Sequence, residues 1–189
     1  MAEITKDICW NIGGARNLGF HLAQTEFVFM IDSDTFVDNS LARDALSFTT
    51  KMKRSREMGK ELIYIHFPRI LNSTGKQHGH HPAVALMSKR AYWMVGGCDE
   101  DFVGHYGNTD PHFKWRAAHT DGVTVVDVSK EIPDVHQLLQ ERGQGGWTEL
   151  SRSTKNNKEL LKAKTAGRVP WSSDYLRFAW RYLPALARL

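Results

Sequence analysis

The sequence predicts an α/β protein: a single mixed, mainly parallel sheet flanked by helices, followed by a C-terminal helical extension. Three observations carry this. Short apolar runs of strand character recur at 26–31, 61–67, 83–87 and 123–128. Helix-periodic segments at 13–23, about 40–58 and 110–119 alternate with them. Beyond residue 150 only helical patterns remain, at 155–164 and 172–189.

Taken in order, residues 4–10 read as a short strand or its end. Residues 13–23 form a helix with Ala15, Leu18, Leu22 and Ala23 on one side. Phe27-Val28-Phe29-Met30-Ile31 is a buried strand that runs straight into Asp32-Ser33-Asp34. Asn39 or Ser40 caps a long helix that ends near Met58, where Gly59 stops it. The strand at 61–67 ends at Pro68, and 71–82 reads as a polar loop. After the strand at 83–87, Ser88 caps a short helix through Val95, which Gly96-Gly97 breaks. The helix at 110–119 carries Pro111 in its first turn, and the strand at 123–128 follows. The pattern loosens after Ile132, and residues 142–146 read as flexible.

The segment 172–189 sets Tyr175, Leu176, Phe178, Ala179, Tyr182, Leu183 and Leu186 against Arg177, Arg181 and Arg188. An amphipathic helix of this kind packs on its own domain; attachment to a membrane surface is the alternative, and Pro184 interrupts either form.

A length of 189 residues suffices for one domain with a real core, so 1–189 is expected to be a single domain with 150–189 as its helical extension. The content is 41% hydrophobic and 24% charged, ordinary for a globular protein. A net charge of +4 suits an anionic ligand such as a nucleotide diphosphate, yet it is too small and dispersed to argue for nucleic acid. Two cysteines, Cys9 and Cys98, make neither a disulfide framework nor a CxxC motif, so a reducing, cytoplasmic setting is expected, with the basic C-terminal helix offering peripheral membrane contact. No signal peptide or apolar stretch of membrane-spanning length is evident in the sequence.

Asp32-Ser33-Asp34 is the most informative feature. Ligands of open α/β sheets bind beyond the carboxyl ends of strands. Two carboxylates two residues apart on such a loop can converge on Mg²⁺ or Mn²⁺, leaving open positions for phosphate oxygens. Turn or capping chemistry is the plainer account of the same tripeptide. Gly13-Gly14-Ala15-Arg16 opens the first helix without matching a dinucleotide or P-loop fingerprint, although a helix N-terminus with an Arg can hold phosphate. Asp110, where a loop becomes a helix, is either a general base toward a hydroxyl or an N-cap. The acidic run Asp99-Glu100-Asp101 binds an acceptor or caps the next turn. The histidines at 78, 80 and 81 read as an exposed polar loop, with soft-metal binding the alternative.

Three segments in order carry a resemblance. They are Ala15-Arg16-Asn17-Leu18-Gly19 with 26–34; Ala85 to Arg90 with Val95-Gly96-Gly97-Cys98-Asp99-Glu100-Asp101-Phe102; and Tyr106-Gly107-Asn108-Thr109-Asp110 with Phe113 and Arg116. Together, over residues 7–136, the chain resembles the GT-A nucleotide-sugar glycosyltransferases, most closely family two, with kinship to the galactosyltransferase C-terminal region.

The resemblance implies a GT-A-like sheet and a metal-dependent transfer of sugar from a UDP-, GDP- or dTDP-linked donor to a carbohydrate or glycoconjugate hydroxyl, with inversion. A noncatalytic nucleotide- or carbohydrate-binding remnant of such an enzyme is the alternative. Asp32 and Asp34 match carboxylates that hold Mn²⁺ or Mg²⁺, and His136 lies where some relatives place a further ligand. Asp110 matches the base. Arg16, Gly96 and Gly97 match donor-side positions, and Asp99, Tyr106 and Thr109 match the acceptor side. Two departures stand out: Thr109 replaces the Glu that usually precedes the base, and the N-terminal strand–helix–strand segment that usually supplies much of the nucleoside pocket is not seen. Its absence would expose a sheet edge, to be covered by self-association or a partner strand.

Overall fold

The computed structural model describes residues 2–4, 9–32, 35–37, 39–71, 75–80, 83–128, 135–137 and 152–182. In chain order these form β1 (Ala2–Ile4), α1 (Ile12–Leu22), β2 (Phe27–Met30), β3 (Thr35–Val37), α2 (Asn39–Glu57), β4 (Glu61–Ile65), β5 (Pro68–Leu71), β6 (Lys76–His80), β7 (Ala85–Ser88) and α3 (Lys89–Val95). A 3₁₀ turn (Glu100–Phe102), α4 (Thr109–Ala118), β8 (Val123–Asp127), β9 (Val135–Gln137), α5 (Lys155–Thr165) and β10 (Trp180–Tyr182) complete them.

The α/β class is as expected, and the sheet at its centre is mixed, in the order β2-β7-β4-β8. The expectation of one mainly parallel sheet needs correction on two points. Strands β2, β4 and β8 share one direction, but β7 inserts between β2 and β4 and pairs antiparallel with both, so within this sheet β4–β8 alone is a parallel pairing. Two further sheets also stand among the described residues: β3-β9-β5-β6, and the pair β1-β10. Within the expected polar loop at 71–82, Lys76–His80 is a strand of the first of these and pairs antiparallel with Pro68–Leu71. Its polar, histidine-bearing sequence hides the strand. Strand β2 forms one edge of the central sheet, and no described strand pairs with its outer side.

Local chemistry sets the helix ends. The Asn11 side chain accepts from the Gly14 amide at 3.1 Å and starts α1. Ser88 does the same for α3, accepting from Ala91 N at 2.9 Å. Helix α3 stops at Gly96, whose φ of 87° is left-handed; Gly97 N then reaches Tyr92 O at 3.0 Å and Gly96 N reaches Trp93 O at 3.0 Å, a Schellman closure. The core lies between the central sheet and its helices. Ile63, Tyr64, Leu86 and Met87 from the strands meet Phe48 and Met52 of α2, Tyr92 and Val95 of α3, and Phe113 of α4. Phe20 of α1 stacks on Tyr92 with ring centroids 3.6 Å apart.

The C-terminal expectation is half right. Residues 155–165 are helical, but 171–179 form an extended strap without helix, and β10 closes it against β1. Tyr175 and Phe178, expected on the apolar face of an amphipathic helix, are used for packing instead, as is Trp180, whereas Tyr182 is exposed. Tyr175 lies on Trp93 at 4.4 Å, Trp180 meets His21 at 6.1 Å, and Phe178 fills the space above Gly14. Membrane contact through a helix over 172–182 is therefore withdrawn, and residues 183–189 lie outside the described residues. No helix among the described residues is long and apolar enough to cross a membrane.

Candidate functional site

Because β2, β4 and β8 run the same way, their carboxyl ends share one edge of the sheet. Asp32 follows β2, His66 follows β4, and Asp127 ends β8, opposite Ile65 in the β4–β8 register. Ligand sites of α/β sheets form at such an edge. Asp110, in the first turn of α4, joins it from above through Arg16 of α1.

Arg16 is the centre of this arrangement. Its Nη1 donates to Asp110 Oδ1 at 2.5 Å and its Nη2 to Asp32 Oδ1 at 3.1 Å. The Arg16 side chain is 10% exposed, Asp110 23% and Asp32 38%, so the pair to Asp110 is the more sheltered and Asp32 faces the solvent side. Burial disfavours charge on Arg16, but the carboxylates of Asp110 and Asp32 and the nearby Cys98 outweigh it and hold the guanidinium firmly protonated. Asp110 is pushed above the ordinary carboxylate range, chiefly by burial and further by the charge of Asp32, against the pull of Arg16. Lys114, one helical turn beyond Asp110, is lowered by burial against the opposing charges of Asp110 and Asp127. Asp127 in turn meets His66 Nδ1 at 2.7 Å.

The N-cap alternative for Asp110 is not what the structure shows. Helix α4 begins at Thr109, the residue before it is Asn108 in left-handed conformation, and the Asp110 carboxylate goes to Arg16. Chemically, a largely desolvated carboxylate whose pKa burial raises is a better proton acceptor than a solvated one.

Asn17 explains why the Ala15-Arg16-Asn17 segment sits where it does. It is fully buried; its Nδ2 donates to Cys98 O at 2.9 Å and Glu100 Oε1 at 2.7 Å. Its Oδ1 accepts from Tyr92 OH at 2.6 Å and Cys98 N at 2.9 Å. Helix α1 is thereby riveted to the turn at 96–102, which fixes the register of Arg16 relative to Asp110. Gly97 (φ 66°) fits this rivet, since a Cβ there would lie 2.7 Å from Asn17 Oδ1. A Cβ at Gly96 would overlap the Arg116 guanidinium. Close packing is one reason for glycine at both positions.

Of the acceptor-side positions, Thr109 lies at the mouth of α4, with its Cγ2 3.5 Å from where a Cβ on Gly13 would stand. Tyr106 packs edge-to-face with Trp10 at 4.8 Å. Asp99 is not brought to the centre. It is buried, with Oδ1 accepting from Asp101 N at 2.9 Å and Oδ2 paired to Lys164 Nζ at 2.8 Å. Glu100 is likewise taken up by the strap, accepting from Leu176 N at 2.6 Å and Arg177 N at 2.9 Å. The acidic run is a clasp for the C-terminal segment.

Asp34 lies outside the described residues, as does the side chain of His136. The backbone of β9 places residue 136 opposite Phe36 of β3, two residues past Asp34. Among the described residues no group of three His, Cys, Asp or Glu side chains is arranged to hold a metal. Sequence reasoning missed Asp127, His66 and Lys114. The first had a usable signal: Asp127 ends an apolar strand just as Asp32 follows one. No family model matches this chain, and neither does any curated protein.

Proposed function

We propose that this chain is a metal-dependent, inverting glycosyltransferase that moves a sugar from a nucleotide-sugar donor to an acceptor hydroxyl. One observation carries the reading: Arg16 joins Asp32 and Asp110 at the carboxyl edge of the sheet. Inversion needs one base and no enzyme nucleophile, and Asp110 has the desolvated, raised-pKa carboxyl that such a base requires.

Asp32 gives one oxygen to Arg16 and is the most open member of the group, so the carboxylate fits cation binding from the solvent side. Asp32 and Asp34, with His136 on the strand paired to β3, would hold Mn²⁺ or Mg²⁺. The oxygen-rich set with one imidazole suits these hard ions, which as Lewis acids neutralise a leaving diphosphate. Arg16 supports the same end from the protein. Its guanidinium offers donors in a fork that matches phosphate oxygens, at the place where a donor's diphosphate would approach Asp32. While it pairs with Asp110 it also orients that carboxylate. Asp110 then takes the proton of the acceptor hydroxyl as the new glycosidic bond forms.

A screen of nucleoside diphosphates by thermal shift tests the donor site directly, because a ligand that binds only the folded state raises the melting temperature by mass action. At least one nucleoside diphosphate should raise it in the presence of Mn²⁺ and not in its absence, and Asp34→Ala should remove the shift while leaving the unliganded melting temperature nearly unchanged. An undiminished Mn²⁺-dependent shift in that variant would refute the metal assignment. Binding without turnover would mark the chain as a binding module.

A further inference from the structure

Lys114, His66 and His80 gather at the carboxyl edge of the central sheet and take no part in the proposed transfer. They arrive from separate elements. His66 follows β4 and turns its Nδ1 to Asp127 Oδ2 at 2.7 Å, across the β4–β8 pairing. His80 ends β6, and its ring centroid lies 4.1 Å from that of His66 with the planes 34° apart. Lys114 sits one turn into α4. Helical side chains lean toward the helix N-terminus, so its ammonium rises toward the same edge, near Asp110, Asp127 and Arg16.

Two observations mark this group as a binding site. Lys114 is half-buried, and its ammonium forms no ion pair with a described carboxylate. Burial lowers its pKa even against the charges of Asp110 and Asp127, so a close counter-ion would be gained rather than exchanged. His66 holds a left-handed backbone with φ 62°, a conformation sparsely populated by residues with a Cβ, and strain of this kind gathers at ligand sites. The two imidazoles also crowd one another. Slight burial, then the charges of His66 and Lys114, lower the His80 pKa against the pull of Asp127, and Arg69 adds to the effect. An arriving anion reverses that balance, because it offsets the repulsion and favours protonated rings.

A carboxylate suits the place better than a phosphate. The second charge of a phosphate dianion would face Asp110 and Asp127, whereas a monoanion is matched by one ammonium and one imidazolium. We propose that Lys114, His66 and His80 bind the carboxylate of a hexuronic acid, beside the Asp110 base at the end of β8. That a sugar bears the anion rests on the glycosyltransferase reading; the anion site itself does not.

The test is an NMR titration of the histidine ring resonances, assigned through His66→Gln and His80→Gln, without donor or metal. The probes are methyl glucuronide and methyl galacturonide, with methyl glucoside and inorganic phosphate beside them. A uronide should shift both rings and bind at least about tenfold more tightly than glucoside or phosphate. Lys114→Met should weaken it about tenfold or more, the loss of one charge-assisted hydrogen bond, and Lys114→Arg should restore most of the affinity. His80→Gln, at an exposed position, should weaken it as well. Calorimetry of UDP-glucuronate against UDP-glucose with Mn²⁺ separates the two sources: preference for the free uronide puts the carboxylate on the acceptor, and preference only in the nucleotide-linked form puts it on the donor. No preference for a uronide in either form, phosphate bound as tightly, or affinity unchanged in both Lys114→Met and His80→Gln overturns the proposal. Uronide binding without turnover of any donor leaves the anion site standing while the enzyme reading fails. Transfer of a neutral sugar without uronide binding does the reverse.

Discussion

Replacing Lys164 by methionine removes one ammonium and keeps most of the side chain's length. Lys164 is wholly buried, with Nζ at 2.8 Å from Asp99 Oδ2, 2.7 Å from Asp101 Oδ2 and 2.8 Å from Pro170 O. Asp99 is equally buried, so the variant strands a carboxylate whose remaining partners are the amides of Asp101 (2.9 Å) and Ser172 (3.2 Å). Asp101 is affected less: it is partly exposed, and Arg177 Nη2 still reaches it at 2.8 Å. Removing one partner of a buried ion pair costs about 3–5 kcal/mol. With a urea dependence of about 2 kcal/mol per M, the unfolding midpoint should fall by about 1.5–2.5 M. Adding Asp99→Asn should recover more than half of the loss, since the stranded charge is then gone. A loss under about 1 kcal/mol, or no recovery in the double variant, would refute the clasp.

Two further outcomes follow from the electrostatics. His112 is buried between Phe102 and Trp171, at 4.7 Å from each, and neither ring nitrogen has a hydrogen-bond partner among the described residues. Burial lowers its pKa from 6.5 to about 4, so the unfolded chain binds the extra proton first; stability is complete above the unfolded value and falls as pH drops from 6.5 toward 4. Denaturant midpoints of His112→Phe should lack this part of the pH dependence, and an unchanged slope would contradict it. Arg16→Gln removes a charge that lowers the Asp110 pKa, so the acidic limb of kcat/KM for transfer should move to higher pH. A limb that stays put would show that a different group limits the rate.

Local patterns made much of the central sheet legible. An apolar run ending in acidic residues marked β2, a Ser cap and a Gly pair framed α3, and Pro111 in the first turn marked α4. What stayed hidden depends on partners far along the chain. Strands of three residues such as β3, β9 and β10 carry too few positions for a period to appear, and Lys76–His80 is a strand only because Pro68–Leu71 pairs with it. The same holds at the site. Asp32, Arg16 and Asp110 could each be picked out by residue type and place. That Arg16 ties the other two together spans 94 residues, and that Asp99 belongs to Lys164 rather than to a ligand turns on an ion pair 65 positions long. The sequence of the strap suggests a helix because its aromatics recur at spacings that suit either form, and the pairing of β10 with β1 decides between them.

Release of nucleoside diphosphate from a nucleotide-sugar panel with Mn²⁺, in the wild-type protein and in Asp110→Asn, tests the central claim most directly. Transfer to a glycoside acceptor should appear in the wild type and fall by about 10²–10⁴-fold in Asp110→Asn, with donor binding retained. Transfer that survives in Asp110→Asn, or no turnover of any donor by the wild type, would contradict it.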